Sequence, residues 1–163
     1  MNRRMVFYTV GHIATVEAAL LLLPALVSLI YLEKSGISFL ITAALSLTVG
    51  LAFILLFKPK SRMIYAKEGF AIVAYAWLLM SAIGALPFVF SGDIPSYVDA
   101  FFETVSGFTT TGSSILTDVE AMSKGLLFWR SFTHWVGGMG VLVFLMVFLG
   151  GLSDRSIHII RAE

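Results

Sequence analysis

The sequence has no cysteine and very little charge. The lack of cysteine excludes disulfides, thiolate metal sites and a thiol nucleophile. Charged residues make up 13% of the 163 residues and hydrophobic residues 58%, which is far outside the range of soluble domains. The formal net charge of +1 gives no reason to expect a nucleic-acid partner. The composition therefore indicates an integral membrane protein in a lipid bilayer.

The sequence also lacks the constellations that an enzyme needs. Serine, histidine and aspartate are present, but no nucleophile elbow, metal-ligand spacing or phosphate loop accompanies them. We therefore predict that the protein is not an enzyme and has no cofactor.

Four long stretches are almost free of charge. They are residues 5–32, which contain only Glu17, and residues 35–57, 69–92 and 131–153, which contain none. Each reaches the roughly 20 residues that a spanning helix needs. Apolar runs of this length satisfy their own backbone hydrogen bonds in lipid only as helices. The sequence predicts an all-α fold with four transmembrane helices.

Basic residues lie mostly on one side of these spans, which predicts the orientation. Lys34 and Lys124 lie on the other side, with Arg130 at the outer edge of the fourth span, and by the positive-inside rule both termini are then cytoplasmic. Acidic residues of the outer segments either gather cations near an entrance or are simply solvated. The cytoplasmic set is Arg3, Arg4, Lys58, Lys60, Arg62, Lys67, Arg155 and Arg161, and the outer acidic set is Glu33, Asp93, Asp99, Asp118 and Glu120.

The connector between the third and fourth spans contains a predicted short helix. Pro95-Ser96 is a typical helix start. Apolar residues then follow at a spacing that suits one helix face. At about 13 residues the helix is too short to span, so we predict a re-entrant pore helix. The apolar residues are Val98, Phe101, Phe102, Val105 and Phe108.

A polar run, "TTTGSS", follows this helix. Its hydroxyls and glycine make it a poor helix and a poor strand. At membrane depth, irregular backbone persists only where it is buried in protein or lines a water-filled path. The inward-pointing C-terminal end of the short helix stabilises a cation, and carbonyl and hydroxyl oxygens suit an alkali cation. We predict a monovalent-cation filter formed by Thr109, Thr110, Thr111, Gly112 and Ser113.

Two motifs resemble those of a known family. "FFETVSGFTTTGSSIL" is similar to the first filter segment of the Trk/Ktr/HKT superfamily of potassium transporters, in particular its TrkH-type subunits. "FWRSFTHWVGGMGVLV", residues 128–143, is similar to the start of the following pore-lining helix. The resemblance implies potassium as the transported ion, bound at Thr110, Thr111 and Gly112, because glycine at position 112 goes with potassium selectivity. It also implies that residues 1–60 are a peripheral helix pair and residues 61–163 a helix–pore-loop–helix unit.

The family builds its filter from four such units, of which this chain has one. The resemblance therefore implies the N-terminal part of a potassium uptake subunit with one quarter of the filter, in the bacterial inner membrane. It further implies a homodimer of the full-length subunit and a cytosolic nucleotide-binding regulatory subunit. The ending "SDRSIHIIRAE" favours a truncated or split subunit. The alternatives are a self-contained homotetrameric cation channel and a non-conducting remnant or assembly partner.

Four ionisable residues remain to be interpreted. We expect Glu103 to anchor the pore helix through hydrogen bonds rather than to touch the ion. Arg130 and His134 share a helix face, where they either bind a carboxylate such as Glu103 or Asp118 or snorkel to the interface. Glu17 lies mid-span at a cost of about 3 kcal/mol. We interpret it as structurally paired or protonated, with a transport role as the alternative.

The fourth predicted span contains a glycine motif. Gly137-Gly138-x-Gly140 is not a dinucleotide fingerprint, because it lies in an apolar span with no strand before it. Small residues in membrane helices let backbones approach closely. We expect this motif to pack against a neighbouring repeat.

Overall fold

The computed structural model describes residues 2–59 and 66–140, and within these ranges all regular secondary structure is helical. The described part therefore confirms the predicted all-α class. A final helix, α7, is described over residues 124–140. The preceding helices are α1 Arg3–Leu20, α2 Leu22–Ile30, α3 Ser35–Leu56, α4 Ala66–Gly84, α5 Leu86–Ser91 and α6 Tyr97–Phe108.

Three stretches are long and apolar enough to cross a membrane, in agreement with the first three predicted spans. They are Arg3–Ile30, Ser35–Leu56 and Lys67–Ser91. Most of the fourth predicted span, 131–153, lies outside the described residues. Its helix begins at residue 124, seven residues before the predicted span. The prediction misses these first turns because they carry Lys124 and Arg130, and the span was defined as a run of uncharged residues.

Proline explains why two of the spans are interrupted. Leu21 separates α1 from α2, with Pro24 three residues later, and Ala85 separates α4 from α5, with Pro87 two residues later. Proline has no N–H, so it cannot donate to the carbonyl four residues before it. Each of these spans is therefore built from two consecutive helices.

The first three helices and the later ones share one hydrophobic core. Leu21 and Phe39 pack in the same cluster as Phe88, Phe108 and Trp129. The rings of Phe39 and Trp129 meet edge to face with centroids 6.4 Å apart. The residues before and after the predicted boundary near residue 60 are thus packed together in space, and the boundary itself stays a prediction.

Glu17 is enclosed within this fold. Its side chain is fully buried in α1, and neither carboxyl oxygen has a hydrogen-bond partner in the part of the chain that the structure describes. The nearby Ser46 hydroxyl of α3 donates to the Ala14 carbonyl at 2.9 Å instead. His12 lies on the same helix but is exposed, and its ring packs edge to face on Tyr8. The structure therefore gives Glu17 no partner on its own helix.

Candidate functional site

The site begins with α6, the short helix before the polar run. Ser96 caps it, with its hydroxyl accepting from the Asp99 N–H at 3.4 Å. The helix starts and ends where the sequence predicts, and Asp99 in its first turn complements the helix dipole. Its C-terminal end, which carries partial negative charge, leads directly into Thr109.

The buried face of α6 carries mostly small and polar residues. Val98 and Phe102, two of the apolar residues at the predicted helical spacing, are 74% and 45% exposed. Phe108, at the end of the helix, is fully buried. The buried face carries Ala100, Glu103, Thr104, Ser106, Gly107 and Phe108.

The loop after α6 folds back onto the end of the helix. The N–H groups of Thr110 and Thr111 donate to the carbonyls of Gly107 at 2.9 Å and Ser106 at 3.0 Å. Thr110 and Gly112 have positive φ angles of 57° and 77°. A left-handed threonine is strained, since its branched Cβ crowds the backbone. Alternate residues of the "TTTG" run are therefore held in unusual conformations.

The carbonyl groups of this loop divide into two sets. The Ser113 carbonyl accepts from the Ser106 hydroxyl at 2.6 Å. The four preceding carbonyls, of residues 109–112, receive no hydrogen bond within residues 2–59 and 66–140. All four residues are exposed, and the hydroxyls of Thr109 and Thr111 lie 2.8 Å apart. Four successive carbonyls of the loop thus have no hydrogen-bond partner in the described part of the chain, and Ser113 is the member of the predicted set whose carbonyl is already occupied.

Glu103 joins the three parts of the site. Its carboxylate accepts from the Ser114 hydroxyl at 3.0 Å and the Ile115 N–H at 3.2 Å, just after the loop. It also forms an ion pair with Arg130 of α7 at 2.5 Å. The Glu103 side chain is 1% exposed. A buried, multiply bonded carboxylate therefore connects α6, the end of the loop and α7.

The other predicted support residue is placed differently. His134 Nδ1 lies 2.9 Å from the Arg130 carbonyl on its own helix, so the structure does not bring it to a carboxylate. Asp118 accepts from the N–H groups of Glu120 and Ala121 and closes its own turn. Of the two carboxylates considered for Arg130, the structure brings Glu103 to it.

The roles of two serines in this site were not predicted from the sequence. Ser106 holds the Ser113 carbonyl, and Ser114 donates to Glu103. A signal for Ser106 was available, since it lies three residues after Glu103 and therefore on the same helix face. Ser114 follows the predicted site directly, but nothing in a polar run distinguishes a supporting serine from a ligand.

Glycines let α7 approach the end of α6. A Cβ on Gly137 would overlap the Phe108 carbonyl, and one on Gly107 would overlap the Thr133 hydroxyl. A Cβ on Gly140 would make ordinary contact with Trp77. Gly137 of this motif thus packs on its own unit, whereas the expected packing of the motif against a neighbouring repeat stays a prediction.

Comparisons with known proteins identify similar chains. The TrkH family, described as cation transport protein, matches residues 35–160. Over its whole length the chain is 35% identical to the Trk system potassium uptake protein TrkH of Salmonella typhimurium, covering 34% of that protein. Over 85% of its length it is 38% identical to an uncharacterized cation transporter of Methanocaldococcus jannaschii, covering 29% of it.

A solved structure matches as well. The crystal structure of the potassium transporter TrkH from Vibrio parahaemolyticus superposes with a TM-score of 0.85 and 33% identity. The match covers 91% of this chain and 32% of that one. The chain thus spans about a third of the length of these relatives.

Proposed function

The chain belongs to the TrkH family of cation transport proteins, and on that premise we propose that its loop 109–113 supplies one quarter of a potassium filter. The protein then takes part in potassium uptake as the N-terminal portion of a Trk-type subunit. The proposal goes beyond the family assignment, which by itself covers cation transport.

The observation that carries the proposal is a set of carbonyls without hydrogen-bond partners. The four successive residues 109–112 are exposed, and their carbonyls accept no hydrogen bond within the described ranges. Successive backbone carbonyl oxygens can replace the hydration shell of a potassium ion. The C-terminal end of α6 adds partial negative charge beside them.

One loop of this kind can surround an ion only in part. One hairpin provides ligands on one side of an ion and leaves the other sides to further chains or repeats. We propose that three more hairpins complete the filter, from the rest of a longer subunit or from further copies of this chain. In this arrangement the protein lies in the bacterial inner membrane with both termini cytoplasmic, residues 131–153 form the fourth span, and α6 is re-entrant.

Two further partners belong to the same proposal. The full-length subunit forms a homodimer, and a cytosolic nucleotide-binding subunit regulates it. Glu103 and Arg130 support the loop without binding potassium, because their charged atoms already bond to each other and to residues 114 and 115. His134 supports the first turns of α7 through the Arg130 carbonyl.

The test compares two glycines that both lie in the left-handed region of φ. Gly112 and Gly92 both have positive φ, and a Cβ on either would meet no atom within 4 Å. Gly112→Ser and Gly92→Ser therefore add similar strain and no clash, but only the first alters the proposed filter. Uptake of potassium and sodium is measured in cells that lack potassium uptake, with the chain expressed alone and together with the remainder of a related subunit.

We expect Gly112→Ser to lower the potassium-to-sodium uptake ratio about tenfold, since a discriminating ligand contributes on the order of 1–2 kcal/mol, while Gly92→Ser leaves it unchanged. Equal effects of the two variants would refute the filter. The native mass of the chain in nanodiscs identifies the source of the other hairpins. Uptake by a tetramer of the chain alone would overturn the subunit-portion proposal in favour of the homotetrameric channel.

A further inference from the structure

The N-terminus of α7 rests on a residue from a distant part of the sequence. Glu33 lies between α2 and α3, and its two carboxylate oxygens accept from the N–H groups of Lys124 at 2.7 Å and Gly125 at 3.1 Å. The first N–H groups of any helix lack partners within that helix. Glu33 thus caps α7 across a sequence separation of 91 residues.

Further contacts hold the N-terminus of α7 in this position. Asp93, just before α6, accepts from the Ser123 N–H at 3.0 Å, so three successive N–H groups bond to carboxylates. A Cβ on Gly125 would overlap the Ser28 hydroxyl, which means that α7 begins in direct contact with α2. The Ser35 hydroxyl donates to Glu33 at 3.2 Å and holds the carboxylate in place.

The first turns of α7 connect its N-terminus to the loop. Arg130 follows Gly125 by five residues, or roughly 7.5 Å along a helix that rises about 1.5 Å per residue. At that point Arg130 pairs with Glu103, which accepts from Ser114 and Ile115 at the end of the loop. Each step is a rigid helix or a direct hydrogen bond, so the axial position of α7 is linked to the loop.

From these contacts we propose that Glu33 is a positioning residue for the filter. By holding the N-terminus of α7, it sets where Arg130 meets Glu103 and thereby orders loop 109–113. The first helices then do more than surround the pore unit. The inference rests on the proposed function for its effect on selectivity, whereas the linkage from Glu33 to the loop is independent of it.

The test uses a matched pair of outer glutamates. Glu33→Gln removes the charge and one acceptor at constant size, and Glu120→Gln makes the same change at an exposed residue whose carboxylate caps no helix within residues 2–59 and 66–140. Amide hydrogen exchange is followed by mass spectrometry on the full chain in nanodiscs. It is read at the loop, at the start of α7 and in α3, and potassium-to-sodium uptake is measured as described for Gly112.

We expect Glu33→Gln to raise exchange at residues 109–116 about fivefold, the factor that corresponds to one weakened charged hydrogen bond. In this variant, exchange in the middle of α3 stays unchanged. In Glu120→Gln, exchange stays unchanged throughout the chain. Increased exchange at residues 123–127 alone would show a local cap and overturn the proposal. A uniform increase, α3 included, would also overturn it, because global destabilisation is not positioning.

The two proposals fail in different ways. If Gly112→Ser leaves ion selectivity unchanged but Glu33→Gln still loosens the loop, the filter proposal fails and the linkage stands. If Gly112→Ser alters selectivity and Glu33→Gln alters neither selectivity nor exchange at the loop, the filter stands and the positioning role of Glu33 is refuted.

Discussion

Glu17 and Glu103 are both buried glutamates, with 0% and 2% exposure, but they lie in different regions of the molecule. Glu17 lies among the first helices and has no hydrogen-bond partner in the described part of the chain. Glu103 lies in the hairpin formed by α6, the loop and α7, and accepts from Ser114, Ile115 and Arg130. Burial is the same for the two residues, so their partners determine what each one does.

The two regions pack in the same way in other respects. In the first helices, a Cβ on Gly11 would lie 2.8 Å from the Phe53 Cβ, and one on Gly50 would lie 2.8 Å from the Gly11 carbonyl. In the hairpin, Gly107 and Gly137 also make approaches too close for a side chain, and these are closer still. Close glycine contacts therefore do not distinguish the two regions. The two regions are distinguished by the buried carboxylate of Glu103, which accepts a hydrogen bond from the backbone just after the loop.

The largest effect in this comparison is expected for Arg130→Leu. Removing Arg130 leaves the Glu103 carboxylate buried without its counter-charge, which costs about 3–5 kcal/mol of unfolding free energy. Equilibrium unfolding in mixed micelles measures this loss. The double variant Glu103→Gln with Arg130→Leu should recover part of it. A loss below about 1 kcal/mol would instead indicate a solvated ion pair and weaken the contrast with Glu17.

Gly137→Ala tests the packing that brings α7 to the loop. The added methyl group would overlap the Phe108 carbonyl, and forcing the helices apart costs about 1–3 kcal/mol. Gly138→Ala is the control, since its Cβ would lie 3.9 Å from the nearest atom, the Thr110 Cγ2, and alanine is favoured by up to about 1 kcal/mol in a helix. Equal stability of the two variants would show that α7 does not approach α6 this closely.

Sequence patterns predicted the elements better than their faces. Hydropathy located three spans and helix α6, because runs of uncharged residues and a Pro-Ser start are local signals. The exposure of Val98 and Phe102 could not be read from the same pattern. An apolar residue on a membrane helix faces lipid, a neighbouring repeat or its own core, and hydropathy does not separate these environments.

The candidate site shows the same limit. The loop was identified from residue type, since threonine and glycine runs are rare between apolar helices, and its ligand role stays a prediction. Arg130 and Glu103 are 27 residues apart, and Glu33 and Lys124 are 91 apart. No local pattern specifies which carboxylate meets which donor over such separations, so these pairs required the three-dimensional fold.

Glu17→Met tests the other side of the comparison. Methionine has a similar size and removes two buried oxygens without partners, so we expect unfolding free energy to rise by about 1–2 kcal/mol. Potassium uptake should be unchanged if Glu17 is purely structural. A loss of uptake at equal or greater stability would instead assign Glu17 the transport role and remove the contrast with Glu103.

The smallest effect concerns Glu33, the carboxylate that links the two regions. Burial raises its pKa, but hydrogen bonds from the Gly125 and Lys124 N–H groups and from Ser35, with the charge of Lys124, outweigh burial and hold the pKa below its ordinary value. Lys34 and Asp93 face the same cleft. A lowered folded-state pKa gives stability that is fully present above the ordinary value of about 4.3 and is lost as pH falls through the folded-state pKa.

The free energy of local opening at the start of α7, measured by amide exchange at residues 123–127, should therefore differ between the wild type and Glu33→Gln by a constant amount from pH 7 to about 5, and the difference should vanish at lower pH. Its size should stay below about 1 kcal/mol, because Glu33 is partly exposed and screened by solvent. Repeating the titration in an Asp93→Asn background removes the other carboxylate that bonds to this helix end. A difference that grows at low pH would mean that the helix end does not stabilise the charged form of Glu33. The charge of Glu33 would then not contribute to holding the N-terminus of α7.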